Sequence, residues 1–565
     1  MNNELTLRDY YFFLIFLFLS ILIITSGGGP DYKQYLIWSE YFSTLDLNIF
    51  SGYPKSSNGL PLVAWYYGVG LLSSIATKIL FIKDVATTMK VSSVLLTIIN
   101  VALFYKIAVN YKISKFSFLF LISITYLLLP AGFYFNKYST ETWTIFLTLL
   151  SIFLIEYDIK NFKDLRKGSL TSFGIILYFL ILIKITNVFL CLALLLIFYV
   201  KKFDEAPINK KNFNKYLKIL FFGLFFIFFA VVLLAIYHKL LNGSFLASPY
   251  NYGDNEFSSF GISNFKLFEV LFSTWHGLLF YHPFYLLSIF LLLIIFFKKL
   301  FSKDNSKWIL LITSIVFFIQ LLIQSSHATW WMGTGTYGAR GFAGISILTF
   351  YAILNIKNNF KPIKYNFFFK LITLVVLGHQ TYLLSMGETN FYTFSHFFSF
   401  FFTKKSLVLI FFITFILVSI VVIRKMFNYS FFNALQITII SMAFFAATPI
   451  LFTHKKPFFL LSTAILFSCF FSYFVQNYIN KIKLLSDFFI HKTVSIIFIV
   501  FFLFSIYFQV ILFVQYKENI KPNFISGKNF LCDEAVGSYY EYNNLSNYQY
   551  EKKNWLNFLK RSGCL

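Results

Sequence analysis

Four ionisable residues stand at the ends of apolar stretches, where a charged side chain is costly unless it has a partner or a function. Asp31 follows the turn Gly27–Pro30 directly after the first apolar stretch, and Glu141 lies in the sequence Ser-Thr-Glu-Thr-Trp before another. Lys184 separates two short apolar runs, and Arg340 precedes a further one. Carboxylates are suited to proton transfer, while Lys and Arg bind anions such as phosphate.

Three of these residues also have a plain structural interpretation. Asp31 would be a general base, or else a helix cap or a surface charge. Glu141 would act on a substrate, or else favour the start of a helix. Lys184 would hold a phosphate, or else extend to the membrane interface. Two carboxylates at one membrane face are also able to bind a divalent cation or to position two substrates, so no cofactor is assigned and a metal remains open.

A second set of candidates is rich in Trp, Tyr and His and lies in the polar segments between apolar runs. The predicted substrate-binding residues are Lys55, Trp275, His276, His282, His327, Trp330, Trp331 and Tyr337. The histidines lack zinc-ligand spacing such as H-E-x-x-H. Trp and Tyr at this depth are often interface anchors. Clustered with Gly, His and Arg340, they predict a wall that stacks on a sugar and binds phosphate.

The elements that must position these residues are membrane-spanning helices. Of 565 residues, 58% are hydrophobic and only 13% are charged, against about 25% charged in soluble domains. Apolar runs of about 20 residues recur from end to end, without the alternation of a β-barrel. The net charge of +25 is scattered over short loops, which excludes nucleic acid as a partner. The fold class is therefore an all-α polytopic membrane protein with membrane lipids as partners.

The predicted spans number about 13 to 15. A first, uncleaved helix covers about 11–25, and a long loop with the polar and aromatic sequences follows it. The later spans lie at about 91–109, 116–135, 143–157, 170–183, 187–200, 218–237, 277–297, 308–324, 342–355, 371–386, 406–423, 431–453, 457–477 and 493–515.

Loop charge predicts the orientation. If the N-terminus is cytoplasmic, the inner loops carry about three times as many Lys and Arg as the outer connections between residues 136 and 456. The long first loop, the 238–276 loop and the 516–565 tail then lie outside, where neither ATP nor a nucleotide sugar is available. No G-x-x-x-x-G-K-[ST] sequence occurs either. An activated lipid is therefore the expected donor.

The order of these features resembles that of membrane glycosyltransferases of the GT-C fold. The resemblance lies in the first-loop Asp31, the later Glu141, the helix break at Lys184, and the phrases Trp-His-Gly-Leu at 275–278 and Tyr-Gly-Ala-Arg at 337–340. The nearest branch is that of the protein mannosyltransferases and aminoarabinose transferases, glycosyltransferase family 39. The individual motifs are weak, and their order carries the resemblance.

The resemblance implies a GT-C-like catalytic module over 1–355, including a first outer loop at 27–90. Additional transmembrane helices over 356–515 and an extracytoplasmic tail over 516–565 match no motif. It implies a polyprenyl-phosphate sugar donor, Asp31 as the proposed base, Glu141 as the second acid, and Lys184 and Arg340 facing the lipid phosphate. Asp31 lacks the adjacent Glu of the protein mannosyltransferases, so the acceptor is left as a lipid, a glycan or a protein.

The expected activity is therefore transfer of a hexosyl or pentosyl group to an acceptor hydroxyl on the outer face of the cytoplasmic membrane. A transporter or flippase of lipid-linked glycans is the main alternative, although no clear internal repeat is present. A polysaccharide polymerase or ligase is another, although the largest outer loop comes first rather than late.

Overall fold

The computed structural model describes residues 30–46, 67–80, 139–159, 167–205, 210–242, 265–272, 282–302, 304–326 and 340–356, with a few further positions at 49, between 84 and 111, at 277–278, 503 and 507. The secondary structure of these residues consists of helices and short turns, and no strand occurs among them. The helical class is confirmed for this part of the chain. The predicted spans at about 11–25 and 116–135, the spans after residue 356 other than these positions, and the tail lie outside it.

The described helices are numbered here in chain order. They are α1 (Pro30–Thr44), α2 (Gly68–Leu80), α3 (Thr140–Ile159), α4 (Lys167–Ile183), α5 (Val188–Glu205), α6 (Lys210–Asn242), α7 (Leu267–Phe272), α8 (Pro283–Lys298), α9 (Ser306–Ser325) and α10 (Ala343–Ile356). Short 3₁₀ turns, Ile185–Asn187 and Arg340–Phe342, precede α5 and α10.

The predicted spans from 143 to 355 correspond to α3, α4, α5, α6, α8, α9 and α10. Within the described residues, three helical segments are long and apolar enough to cross a membrane: Ile185–Lys202, Tyr216–Leu240 and Ser306–Ser325. Shorter apolar segments accompany them at Leu170–Ile183, Ser288–Lys298 and Arg340–Ile356. These apolar helices identify a membrane-associated helical protein.

The segment predicted as a long first loop contains helices α1 and α2. Helix α1 begins at Pro30, whose fixed φ and missing N–H suit the first helical position. Its aromatic face, formed by Tyr35, Trp38, Tyr41 and Phe42, is almost fully buried. Trp38 packs on Tyr67 and Tyr237, with ring centroids 5.8 and 6.1 Å apart. Aromatic side chains thus hold α1 against the bundle without a long apolar run.

Glycines allow the helix ends to approach closely. A Cβ on Gly68, at the start of α2, would lie 2.4 Å from the backbone carbonyl oxygen of Leu182 near the end of α4. A Cβ on Gly344, at the start of α10, would lie 2.6 Å from Thr144 of α3 and 2.8 Å from Leu190 of α5. Small residues are the usual means of close packing between membrane helices. The starts of α2, α3, α5 and α10 and the end of α4 therefore gather at one end of the bundle.

A polar cluster marks the opposite end of α3, α5 and α10. Glu156 on α3 forms an ion pair with Lys201 on α5 at 3.3 Å. Its Oε1 also accepts hydrogen bonds from the hydroxyls of Tyr111, at 2.7 Å, and Tyr351 of α10. The Tyr111 hydroxyl lies 3.1 Å from Oδ1 of Asn355. We call these residues the Glu156 cluster; it joins three parallel helices far from the gathered helix ends.

Replacing Glu156 by Leu is expected to lower the melting temperature of the detergent-purified protein. The change leaves the ammonium of Lys201 and two Tyr hydroxyls without their shared acceptor. Because Glu156 and Lys201 keep 14% and 17% side-chain exposure, we expect a loss of about 2 kcal/mol, below the cost for a fully buried pair. Lys218→Leu, at an exposed position on α6, is the control. Equal melting temperatures for the two variants would show that the Glu156 cluster does not stabilise the bundle.

Candidate functional site

An ion pair between Glu141 and Arg340 lies where the helix ends gather. Nε of Arg340 is 3.5 Å from Oε1 of Glu141. The Glu141 side chain is 4% exposed and that of Arg340 is 22% exposed. Thr140 donates a hydrogen bond to Oε2 of Glu141 at 2.9 Å. Glu141 is in the first turn of α3, and Arg340 opens the 3₁₀ turn before α10, so the pair fastens two helix starts together.

The surroundings of Glu141 keep its carboxyl group ionised. Burial alone would raise the pKa of this group. The charges of Arg340 and Lys184 and the hydrogen bond from Thr140 outweigh burial, so the pKa of Glu141 lies below its ordinary value. Glu141 lies just before the first residue of the predicted span 143–157, and so outside the membrane-spanning segment. A carboxylate that is ionised and paired in this way is suited to orienting Arg340.

Lys184 reaches the same place from a break between two helices. Helix α4 ends at Ile183, and Lys184 has an extended backbone (φ −161°, ψ 121°) that starts the 3₁₀ turn. Asn187 closes this turn by donating its backbone N–H to the carbonyl oxygen of Lys184 at 2.9 Å. The chain then reverses into α5. The break predicted from two short apolar runs is therefore a turn that presents a lysine at the helix ends.

These residues line one cleft, which we call the polar cleft. Its volume is about 10 Å³, the room of roughly one water molecule, and it opens to solvent. The polar residues that line it are Glu141, Thr144, Lys184, Thr186, Asn187, Gln320 and Arg340. One carboxylate and two cations leave a single excess positive charge among the ionised groups. This charge favours an anionic ligand, and Arg and Lys are the residues that bind phosphate oxygens.

Helix α1 is tied to the polar cleft through Tyr35. The hydroxyl of Tyr35 lies 3.4 Å from Oγ1 of Thr140, which in turn bonds Glu141. Asp31 lies in the first turn of α1, four residues before Tyr35. Its backbone is thus one helical turn from the residue that contacts α3. The sequence predicts Asp31 on a turn after a helix, whereas in the structure Asp31 lies at the start of one.

His282 lies near the polar cleft but does not line it. It is fully buried and immediately precedes α8, and its carbonyl oxygen accepts the backbone N–H of Tyr285. Tyr285 packs edge-on against Phe342, in the same turn as Arg340. The other predicted substrate-binding residues lie outside the described residues: Lys55, Trp275, His276, His327, Trp330, Trp331 and Tyr337.

The neutral polar residues of the polar cleft were not predicted from the sequence. Gln320 and Gln324 lie one turn apart near the end of α9, and Asn187 and Thr186 follow Lys184. The available signal was polar side chains at helical spacing within an otherwise apolar helix, because such residues are costly in a membrane unless they meet a partner. Their closeness to Arg340 depends on the packing of α9 against α10.

Within the described residues, no group of three His, Cys, Asp or Glu side chains is arranged to hold a metal ion. Comparison with known proteins adds no assignment: no family model, no curated protein and no solved structure matches the chain. The polar cleft is therefore interpreted from its own chemistry.

Glu141→Gln is expected to destabilise the protein by about 2 kcal/mol at pH 7, because it removes the partner of a largely buried Arg. The pKa of Glu141 is lowered in the folded state, so this stabilisation is complete above its ordinary value of 4.5. It is lost as the pH falls below that value towards the folded pKa. The gap between the melting temperatures of wild type and variant should therefore stay constant from pH 7 down to about pH 4.5 and narrow as the pH falls further.

The control for this series is Asp46→Asn, at an exposed position just after α1, which should behave like wild type throughout. A gap between wild type and Glu141→Gln that stays constant as the pH falls below 4.5 would mean that the charge of Glu141 does not contribute to stability.

Proposed function

We propose that the protein is a glycosyltransferase that moves a sugar from a polyprenyl-phosphate donor to an acceptor hydroxyl. The observation that carries the proposal is the meeting of Glu141, Lys184 and Arg340 at one end of a bundle of apolar helices. Three distant parts of the chain supply them. An anion-binding cleft at the end of membrane helices suits a substrate whose phosphate is attached to a lipid.

The proposed role of Lys184 and Arg340 is to hold the donor phosphate. A polyprenyl-phosphate sugar is a phosphodiester with one negative charge, which the single excess positive charge of the polar cleft balances. When the bond between the anomeric carbon and the phosphate oxygen breaks, the leaving phosphate gains a second negative charge. Cations already fixed in place stabilise this developing charge more than they stabilise the ground state.

Glu141 then acts as a positioning residue in the proposed mechanism. Its ion pair with Arg340 fixes one edge of the guanidinium, while the burial of the carboxylate limits its access to an acceptor. Proton removal falls to Asp31, on α1. Its carboxylate would take the acceptor proton as the acceptor oxygen attacks the anomeric carbon, with inversion of configuration. The link from Tyr35 to Thr140 supports this arrangement, because it holds α1 beside the polar cleft.

The proposal includes the outer surface of the cytoplasmic membrane as the place of reaction. The connections at 136–142, 184–186 and 325–341 were all predicted outside, with a cytoplasmic N-terminus and an extracytoplasmic C-terminus. In support, the described ends of these connections meet at the polar cleft, while Lys201 lies in the Glu156 cluster at the opposite end. The Trp, Tyr and His residues around 275 and 330 are proposed to bind the sugar and the acceptor.

The test is release of polyprenyl phosphate by the purified protein from polyprenyl-phosphate mannose, glucose, galactose and arabinose. Wild type should release it from at least one donor. Arg340→Met and Lys184→Met should each lower the turnover rate by about 10²- to 10³-fold, because each removes stabilisation of the leaving phosphate. Asp31→Asn should lower it by about 10²- to 10⁴-fold. Lys218→Met, exposed on α6, should match wild type.

Release that is unaffected by Asp31→Asn would keep the reaction and move the base to another residue. If neither Lys184→Met nor Arg340→Met changes the release of polyprenyl phosphate, the reaction does not take place in the polar cleft. If the folded wild type releases nothing but moves the same lipids across a vesicle membrane, the transporter alternative replaces the proposal.

A further inference from the structure

Gln320 has hydrogen-bonding capacity that the described part of the protein does not use. It lies on α9, is 5% exposed and lines the polar cleft beside Arg340. No hydrogen bond or ion pair joins its side chain to any other residue within the regions that the structure describes. A buried amide without partners costs free energy. In a helix of this apolarity, such a residue is expected only where something else binds it.

Asn187 presents a second unused group to the same cleft. Its amide nitrogen donates to Oγ1 of Thr144 at 3.3 Å and to the carbonyl oxygen of Leu180 at 2.9 Å. These two acceptors fix which end of the amide is nitrogen. Its Oδ1 accepts no hydrogen bond from the residues described here, and Asn187 lines the polar cleft. A hydrogen-bond donor on a ligand would give this oxygen a partner.

Gly341 keeps the Gln320 amide accessible next to Arg340. A Cβ at this position would lie 2.7 Å from Oε1 of Gln324 and 3.0 Å from Nε2 of Gln320. Any side chain at 341 would therefore press on both amides. Because Gly341 has no side chain, the turn that carries Arg340 packs directly against α9. Charged and neutral polar groups consequently share one cleft.

The two kinds of group suit two parts of one substrate. Lys184 and Arg340 carry charge and match the phosphate. An amide is neutral and offers both a donor and an acceptor, which is the pattern that a sugar hydroxyl requires. We infer that Gln320 and Asn187 bind a hydroxyl of the donor sugar, and that Gln320 is a specificity-determining residue. Nε2 of Gln320 donates a hydrogen bond to the hydroxyl oxygen, and the hydroxyl donates a hydrogen bond to Oδ1 of Asn187. This inference rests on the proposed function.

The test compares the binding of two lipids to the full-length protein in nanodiscs: polyprenyl phosphate without a sugar, and the polyprenyl-phosphate sugar that wild type binds most tightly. Gln320→Leu should bind the sugar-free lipid within about twofold of wild type. It should bind the sugar-bearing lipid about tenfold more weakly, the value of one hydrogen bond. Thr313→Val is the matched control and should change neither affinity, because within the described part of the chain this buried hydroxyl of α9 bonds only the carbonyl oxygen of Ile309.

A series of singly deoxygenated donors identifies the hydroxyl. Wild type should discriminate against one member of the series, and Gln320→Leu should lose that discrimination, which a purely structural role of Gln320 would leave intact. Gly341→Ala adds a methyl group that displaces the two amides without changing α9 itself. It should show the same loss of discrimination, and it replaces Gln320→Leu in the test if that variant does not fold.

Several results would overturn this inference. If Gln320→Leu weakens the binding of both lipids equally, the amide contacts the phosphate and not the sugar. If it weakens the binding of neither, Gln320 does not contact the substrate. If wild type binds the sugar-free and sugar-bearing lipids equally well, the cleft binds the phosphate but makes no contact with the sugar that adds affinity. If wild type binds neither lipid, the proposed function fails and this inference fails with it.

Discussion

The arrangement of the polar cleft depends on the ion pair between Glu141 and Arg340. A carboxylate that is 4% exposed among apolar helices is very costly without a partner of opposite charge. Arg340 is that partner, and it comes from a distant part of the chain. Because the pair ties the start of α3 to the turn before α10, it places this turn beside Gln320 on α9. The charge of Lys184 reaches the same carboxylate from the break after α4. The ion pair thus brings together the groups to which we assign the substrate.

The Glu156 cluster complements this ion pair from the other end of the bundle. Glu141 and Glu156 lie on one helix, separated by about 22 Å along its axis. Each is paired with a cation from another helix: Arg340 in one case and Lys201 in the other. The residues between them are mostly apolar. Such a bundle is fixed at both ends by directional contacts and filled between them by non-directional packing. A shift of α3 along its neighbours would therefore break both ion pairs.

The sequence allowed most of the apolar helices between residues 143 and 355 to be predicted, because long apolar runs have few alternatives in a membrane. It also indicated Glu141, Lys184 and Arg340 as separate candidates, since charges next to apolar runs are conspicuous. The residues alone did not show that these three side chains meet, because contacts between distant segments depend on how the helices pack. Only the family resemblance implied that Lys184 and Arg340 face one phosphate.

The neutral members of the site were not predicted, and the reason is again packing. Gln320 and Asn187 are ordinary residues in sequence terms, and they become notable only when their surroundings leave hydrogen-bonding groups unused. The packing of helix α1 against the bundle was not predicted either, because this helix is held by buried aromatic side chains such as Trp38 and has no long apolar run. The sequence therefore indicated the charges of the site more clearly than the scaffold around them.

The most direct measurement is an experimental structure of the wild-type protein with polyprenyl phosphate bound, determined by electron cryo-microscopy in nanodiscs. The account predicts lipid phosphate in the polar cleft, with phosphate oxygens within about 3 Å of Nζ of Lys184 and of the Arg340 guanidinium. Glu141 should remain paired with Arg340. A phosphate bound elsewhere, or a Glu141 that faces away from Arg340, would contradict the account.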